Sequence, residues 1–231
     1  MENLTFQTVT IALAGGMLPA LLWLWFWLKE DKEKPEPTGL LFMTFIIGMT
    51  AVIFVLPLEK LASDLINNEH ILIIIWSMLE EVFKYGAVSL ITLRSLSLDE
   101  PIDYPIYFIT VALGFAALEN ALFLLEPVSV NESVVSLLNG NLRFLGATLL
   151  HTIASGSIGI FLGLAFYKKP SIKRLYLICG LIISIVLHSF FNFFIMKDNG
   201  QQFFVIFLFL WTVTIISIFL LEKLRKMSGR I

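Results

Sequence analysis

Seven long apolar stretches, joined by short charged connections, leave this chain few ways to fold. They run approximately over Leu4–Leu28, Gly39–Leu58, Ile71–Leu93, Tyr104–Leu125, Asn141–Phe166, Leu175–Ile195 and Phe203–Leu221. A helix of about 20 residues crosses the roughly 30 Å of hydrocarbon in a bilayer. In that medium backbone groups must bond to one another, so each stretch is read as a helix. Composition agrees: 58% of residues are hydrophobic and 15% charged, against roughly 45–50% and about 25% in soluble domains. The expected fold is therefore all-α, a polytopic transmembrane helix bundle of about seven spans. With short connections and no soluble segment, residues 1–231 read as a single integral-membrane domain. The bilayer is its surroundings, and nothing in the chain points to a nucleic-acid partner.

The first span does not read as a cleaved signal peptide, because no basic segment precedes it and it exceeds a typical signal core in length. It ends in Trp23, Trp25, Phe26 and Trp27, a girdle suited to the membrane interface. Seven spans place the two termini on opposite sides. The N-terminal side carries Lys60, Arg143 and Lys197, while the other carries twelve basic residues. Basic residues favour the cytoplasm, so the N-terminus is expected outside and the C-terminus inside. The lone Cys179 excludes an intrachain disulfide.

Against this background the ionisable residues inside the spans stand out, because burying charge in hydrocarbon is costly and usually functional. The third span holds Glu80, Glu81 and Lys84; the fourth Glu119 and Asn120; the fifth His151; the sixth His188 and Asn192. At 1.5 Å of rise per residue, Glu80, Glu119, His151 and His188 all lie about 9–14 Å from the outer boundary. Four antiparallel helices thus place polar groups in one layer. Glu80 and Lys84 share a helix face, as do His188 and Asn192. Carboxylates and imidazoles gathered in low dielectric supply a general base, a site for water or metal, and an anchor for an oxyanion.

Each residue also has a plainer reading. Lys84 could serve only to neutralise Glu80 or Glu81, and Asn120 only to bond two helices together. A single histidine could satisfy a backbone carbonyl, although two at one depth make this the weaker account. Ser155, Gly156, Ser157, Gly159 and Gly163 form a small-residue face suited to close helix packing. Asp99, Asp103, Glu126 and Glu132 read as solvated loop residues.

The motifs E-E-V-F-K at 80–84, F-A-A-L-E-N at 115–120, His151, and H-S-F-F-N at 188–192 resemble those of the PrsW family. The charged segment after a tryptophan-rich first span is similar too, so the resemblance runs from the first span to Asn192. These are bacterial membrane proteases that act on anti-sigma factors. The family is distantly similar to type II CAAX prenyl endopeptidases and to bacteriocin-processing membrane proteases. Those relatives carry a histidine in the second motif where this chain has Glu119, which fits the PrsW branch.

The resemblance implies a multi-pass enzyme of the bacterial plasma membrane that hydrolyses a peptide bond of a membrane-protein substrate, such as an anti-sigma factor. The cut would fall near the extracytoplasmic side and open a signalling cascade. One of Glu80 and Glu81 would activate water, with Glu80 favoured because Lys84 shares its face. His151 and His188 would position that water, and Asn192 would polarise the scissile carbonyl. Lys84 and Asn120 would support them. The resemblance also admits a divalent metal such as zinc, held by a set drawn from Glu81, Glu119, His151 and His188. Sequence alone does not choose between metal-assisted and purely glutamate-activated water.

Other protease chemistries fit less well. There is no H-E-x-x-H pair, no aspartate in mid-span, and Ser155-Gly156 lacks the setting of a serine nucleophile. Two further classes stand as alternatives, a proton-coupled transporter using the same Glu/His cluster and a catalytically silent scaffold of the same fold.

Overall fold

The computed structural model describes residues 5–29, 34–93, 95–125, 134–197 and 203–228, with backbone alone at 134–145, 195–197, 203 and 228. All secondary structure among them is helical. Seven helices follow in order: α1 (Phe6–Leu28), α2 (Thr38–Leu65), α3 (Glu69–Ile91), α4 (Asp103–Leu125), α5 (Val134–Leu164), α6 (Pro170–Lys197) and α7 (Phe203–Ser228). Each expected span contains one helix, so the polytopic bundle is borne out. The ends differ, because helices outlast the hydrocarbon. α2 runs on from Leu58 to Leu65, α5 begins at Val134 rather than Asn141, and α7 continues to Ser228. Glu126 and Glu132 lie outside the described residues.

Six helices are long and apolar enough to cross a membrane by length and composition. The exception is α3, which has the length but carries Glu80, Glu81 and Lys84 together. Its pattern is inverted. Ile71, Ile74, Met78, Val82 and Leu90 face outward, while Ser77, Glu80, Glu81 and Lys84 are buried. An apolar exterior around a polar stripe is what a helix presents when lipid surrounds the bundle and the polar groups must find partners inside.

The core is organised around α4, which packs against α1, α2 and α5. Residues 105–117 form an unbroken buried run, as expected of a helix that is apolar all round. Glycines let the backbones touch. A Cβ at Gly48 would lie 2.1 Å from the Val111 carbonyl oxygen, and one at Gly114 would lie 2.0 Å from that of Phe45. The expected small-residue face of α5 works in the same way, since Gly159 sits directly against Pro105. Close approach of small residues replaces the hydrophobic drive that lipid does not supply between helices.

Two expectations need correction. Asp103 is fully buried rather than solvated, because its Oδ2 accepts from the main-chain N–H groups of Asp99 and Glu100, at 2.9 and 2.6 Å. These are groups at the entrance to α4 that need an acceptor. Trp27 is also buried instead of lying at the interface, stacked on Trp23. Trp25 does face outward, with the Lys29 ammonium 3.3 Å from its ring centroid.

Candidate active site

The motif residues of α3, α4, α5 and α6 converge, as their common depth predicts. Lys84 is fully buried and directs its ammonium at Glu81 Oε1 (2.8 Å), Glu80 Oε2 (3.2 Å) and His151 Nδ1 (2.8 Å). Its three protons are thereby spent, and the charge also lies 4.2 Å from the centroid of Phe115.

Glu80 and Glu81 are neighbours in sequence but differ in setting. Glu81 is wholly enclosed. Its Oε1 meets Lys84 and His188 Nδ1 (2.9 Å), and its Oε2 accepts from Ser155 Oγ (2.7 Å) and Ser184 Oγ (2.6 Å). Four partners from three helices occupy both oxygens. Glu80 has Lys84 as its hydrogen-bond donor and lines a cavity of about 500 Å³. A helix step of about 100° between adjacent residues accounts for the difference.

The histidines are set in matching ways. A carboxylate only accepts, so His188 Nδ1 beside Glu81 carries the proton and Nε2 keeps its lone pair. That Nε2 lies 3.6 Å from Glu80 Oε1. An ammonium only donates, so His151 Nδ1 beside Lys84 keeps its lone pair, and Nε2 carries the proton and donates to Glu119 Oε2 at 2.7 Å. His151 Nδ1 lies 3.7 Å from Glu80 Oε2. Each imidazole is thus held at its far nitrogen by a carboxylate; the near nitrogen of His188 faces Glu80, and that of His151 accepts from Lys84 with Glu80 beside it. The rings stand edge to face with centroids 5.0 Å apart.

This arrangement fits a divalent cation. Donor atoms of Glu80, His151 and His188 all lie within 4.8 Å of one another, and two imidazoles with a carboxylate are a common zinc set. The 3.6 and 3.7 Å separations are close to the roughly 3.3 Å between ligand atoms around tetrahedral zinc. A carboxylate on the far nitrogen of each histidine is the usual support for a metal-ligating imidazole. Of the expected set, the two histidines belong to this group and Glu80 stands with them, while Glu81 is occupied by its four partners. Glu119 holds His151 from behind.

The cavity reaches the end of the bundle that bears the N-terminus. It is lined by Glu59 of α2; Trp76 and Glu80 of α3; Glu119, Asn120, Phe123 and Leu124 of α4; Ala147, Leu150 and His151 of α5; and His188, Phe191 and Asn192 of α6. Asn192 is on this wall, as its spacing from His188 predicts. Asn120 is buried and donates to Thr148 Oγ1 at 2.9 Å, so it ties α4 to α5 as the plainer reading held.

Sequence reasoning overlooked Ser155 and Ser184 as partners of Glu81, and Glu59. The serines carried a signal. Ser155 follows His151 by four residues and Ser184 precedes His188 by four, which puts each on its histidine's face. Glu59 fell just beyond the expected end of the second span.

The comparisons with known proteins agree with this chemistry. Residues 36–220 match the model of the PrsW family intramembrane metalloproteases. A protease PrsW of Halalkalibacterium halodurans is 26% identical, over 96% of this chain and all of that protein. Those of Oceanobacillus iheyensis and Bacillus subtilis are 25% and 22% identical, over 93% and 86% of this chain and 96% and 90% of theirs. No solved structure matches. A multi-pass bundle with six strongly apolar helices and a family match over most of its length identify a membrane protease, and the chain belongs to the PrsW family of intramembrane metalloproteases.

Proposed function

We propose that this protease cuts a single-span membrane regulator of the anti-sigma-factor class, at the cavity bounded by Glu80, His151 and His188, and that the chain works as one integral-membrane domain. The observation that carries this reading is the pair of imidazoles, each braced by a carboxylate and each with its other nitrogen within 3.7 Å of Glu80, that of His151 also accepting from Lys84. A structural ion pair does not need two braced imidazoles beside one carboxylate on a cavity wall.

In this reading Glu80, His151 and His188 hold one divalent cation such as zinc. When bound, such a cation supplies Lewis acidity that polarises a carbonyl and lowers the pKa of water. Glu119 stands on the same wall with its side chain 23% exposed. It takes the proton from the attacking water and returns it to the leaving nitrogen as the C–N bond breaks. Asn192 donates to the carbonyl oxygen as negative charge grows there. Glu81 and Lys84 are positioning residues: Glu81 fixes the tautomer of His188, and Lys84 holds Glu80 and orients His151. In this reading the mouth lies at the N-terminal end, toward which Glu59, Leu124 and Asn192 line the cavity. Three basic residues at that end against twelve at the other support a mouth on the outer side of the membrane. The cut then falls near the extracytoplasmic end of the substrate span, as the first step of a signalling cascade.

The test is cleavage of candidate anti-sigma factors by the purified protein in proteoliposomes. Glu80→Gln is expected to lower the rate by about 10³-fold. A chelator is expected to abolish cleavage and added zinc to restore it. Full activity of Glu80→Gln would remove the site, and cleavage by metal-free protein would remove the cation.

A further inference from the structure

Glu59 is the one residue that α2 gives to the cavity, and it belongs to none of the motifs that mark the site. Its main chain is fixed from two sides. The Glu59 carbonyl accepts from Trp76 Nε1 at 3.1 Å, across to α3, and from Ser63 Oγ at 2.8 Å. Its carboxylate, by contrast, makes no hydrogen bond or ion pair among the described residues. Glu59 lies six residues from the end of α2, and Glu80 eleven residues from the start of α3. These spacings put Glu59 about 9 Å and Glu80 about 17 Å from the same end of the bundle. Glu59 therefore stands between the mouth and the reactive carboxylate.

Apart from the two histidines, the ionisable groups of the wall are all acids. Glu59, Glu80 and Glu119 line it, and no lysine or arginine does so among the described residues. Lys84 lies close by but has spent its protons on Glu80, Glu81 and His151. A concave surface of one sign with low-dielectric walls concentrates the field and favours a partner of opposite sign. A peptide drawn through the mouth meets Glu59 before its scissile bond reaches Glu80.

We infer that Glu59 is a specificity-determining residue that accepts a hydrogen bond from a lysine or arginine side chain on the mouth side of the cleaved bond. This rests on the reading that the cavity is where the peptide bond is cut. No bond is made or broken at Glu59; it sets which substrate is held.

The experiment uses full-length protein in proteoliposomes with a pool of single-span peptides. The peptides are identical except that Lys, Gln or Glu is scanned through the residues flanking the mouth-side end of the span. Products are counted by mass spectrometry. Wild type is expected to prefer the best Lys peptide over its Glu counterpart by about tenfold, the scale of one well-placed charge contact. Glu59→Gln should bring the ratio close to one, and Glu59→Lys should reverse it. Glu69→Gln, which alters an exposed acid at the same end of the bundle, should leave the ratio unchanged. A wild type without charge preference, a ratio that survives Glu59→Gln and Glu59→Lys, or an equal shift in Glu69→Gln would overturn the assignment. Cleavage that persists in Glu80→Gln would instead overturn the cavity reading, so the two failures are distinguishable.

Discussion

Carboxylates are buried at one end of this bundle and in its middle, and the two groups are satisfied in different ways. At the end bearing the 34–37 and 99–103 segments, the Tyr107 hydroxyl donates to Glu36, and Asp103 accepts from two main-chain N–H groups. Lys34 and Asp99 form an exposed ion pair beside them. These donors are a phenol and the backbone of one turn, so the group ties two connections to the start of α4. In the middle of the bundle Glu81 is held by Lys84, His188, Ser155 and Ser184. There the donors are side chains from three helices, and one is an imidazole whose second nitrogen faces Glu80 and the cavity. Burial of acid alone therefore does not mark a site in this fold. The mark is a buried acid that orients a titratable group toward open space.

The comparison would break first at Glu81. Glu81→Ala leaves the Lys84 charge and two serine hydroxyls without their shared acceptor. The expected cost is about 3–5 kcal/mol, the usual result of removing one partner from a buried ion pair. Denaturation in detergent, followed by circular dichroism, measures it; a variant that unfolds like wild type would remove the structural role of Glu81. Asp103→Ala tests the group at the end of the bundle. It removes the acceptor for two N–H groups, and the expected cost is about 1–2 kcal/mol with cleavage retained. Loss of cleavage in a folded Asp103→Ala protein would erase the distinction between the two groups.

The smallest expected effect is a pH dependence at Glu36. Burial raises its carboxyl above the ordinary value, and the Tyr107 hydrogen bond opposes this. A carboxyl with a raised folded-state pKa binds its proton more tightly in the folded chain than in the unfolded one. Stability is then fullest at low pH and falls as pH rises above the ordinary carboxylate value. Glu36→Gln removes that slope. The gap in melting temperature between variant and wild type should therefore move in the variant's favour as pH rises. A gap independent of pH would show that Glu36 does not titrate in the folded protein.

Much of this was legible in the sequence, because lipid imposes strong rules. Seven apolar runs gave seven helices. The depth estimate brought Glu80, Glu119, His151 and His188 together because straight helices in antiparallel order preserve depth. What it could not give was rotation about each helix axis. Glu80 and Glu81 share a depth, and only packing against α5 and α6 decides that Glu81 turns inward to Ser155 and Ser184 while Glu80 meets the cavity. Glu59 was missed for a different reason. Its helix continues past the apolar run, so a reading by hydropathy stopped one residue short. Asp103 reads as a solvated acid in sequence because a cap is defined by backbone geometry, which an isolated aspartate two residues before a proline does not reveal.

The central claim is that Glu80, His151 and His188 form one cation-holding centre from which Glu81 is excluded. The most direct measurement is the metal content of the purified, folded protein by elemental mass spectrometry, with cleavage followed in the same samples. About one divalent ion per chain is expected in wild type. A combined Glu80→Gln and His188→Ala variant that keeps its helical content should lose both the ion and the activity. Equal metal content in wild type and that variant, or full cleavage by it, would contradict the account.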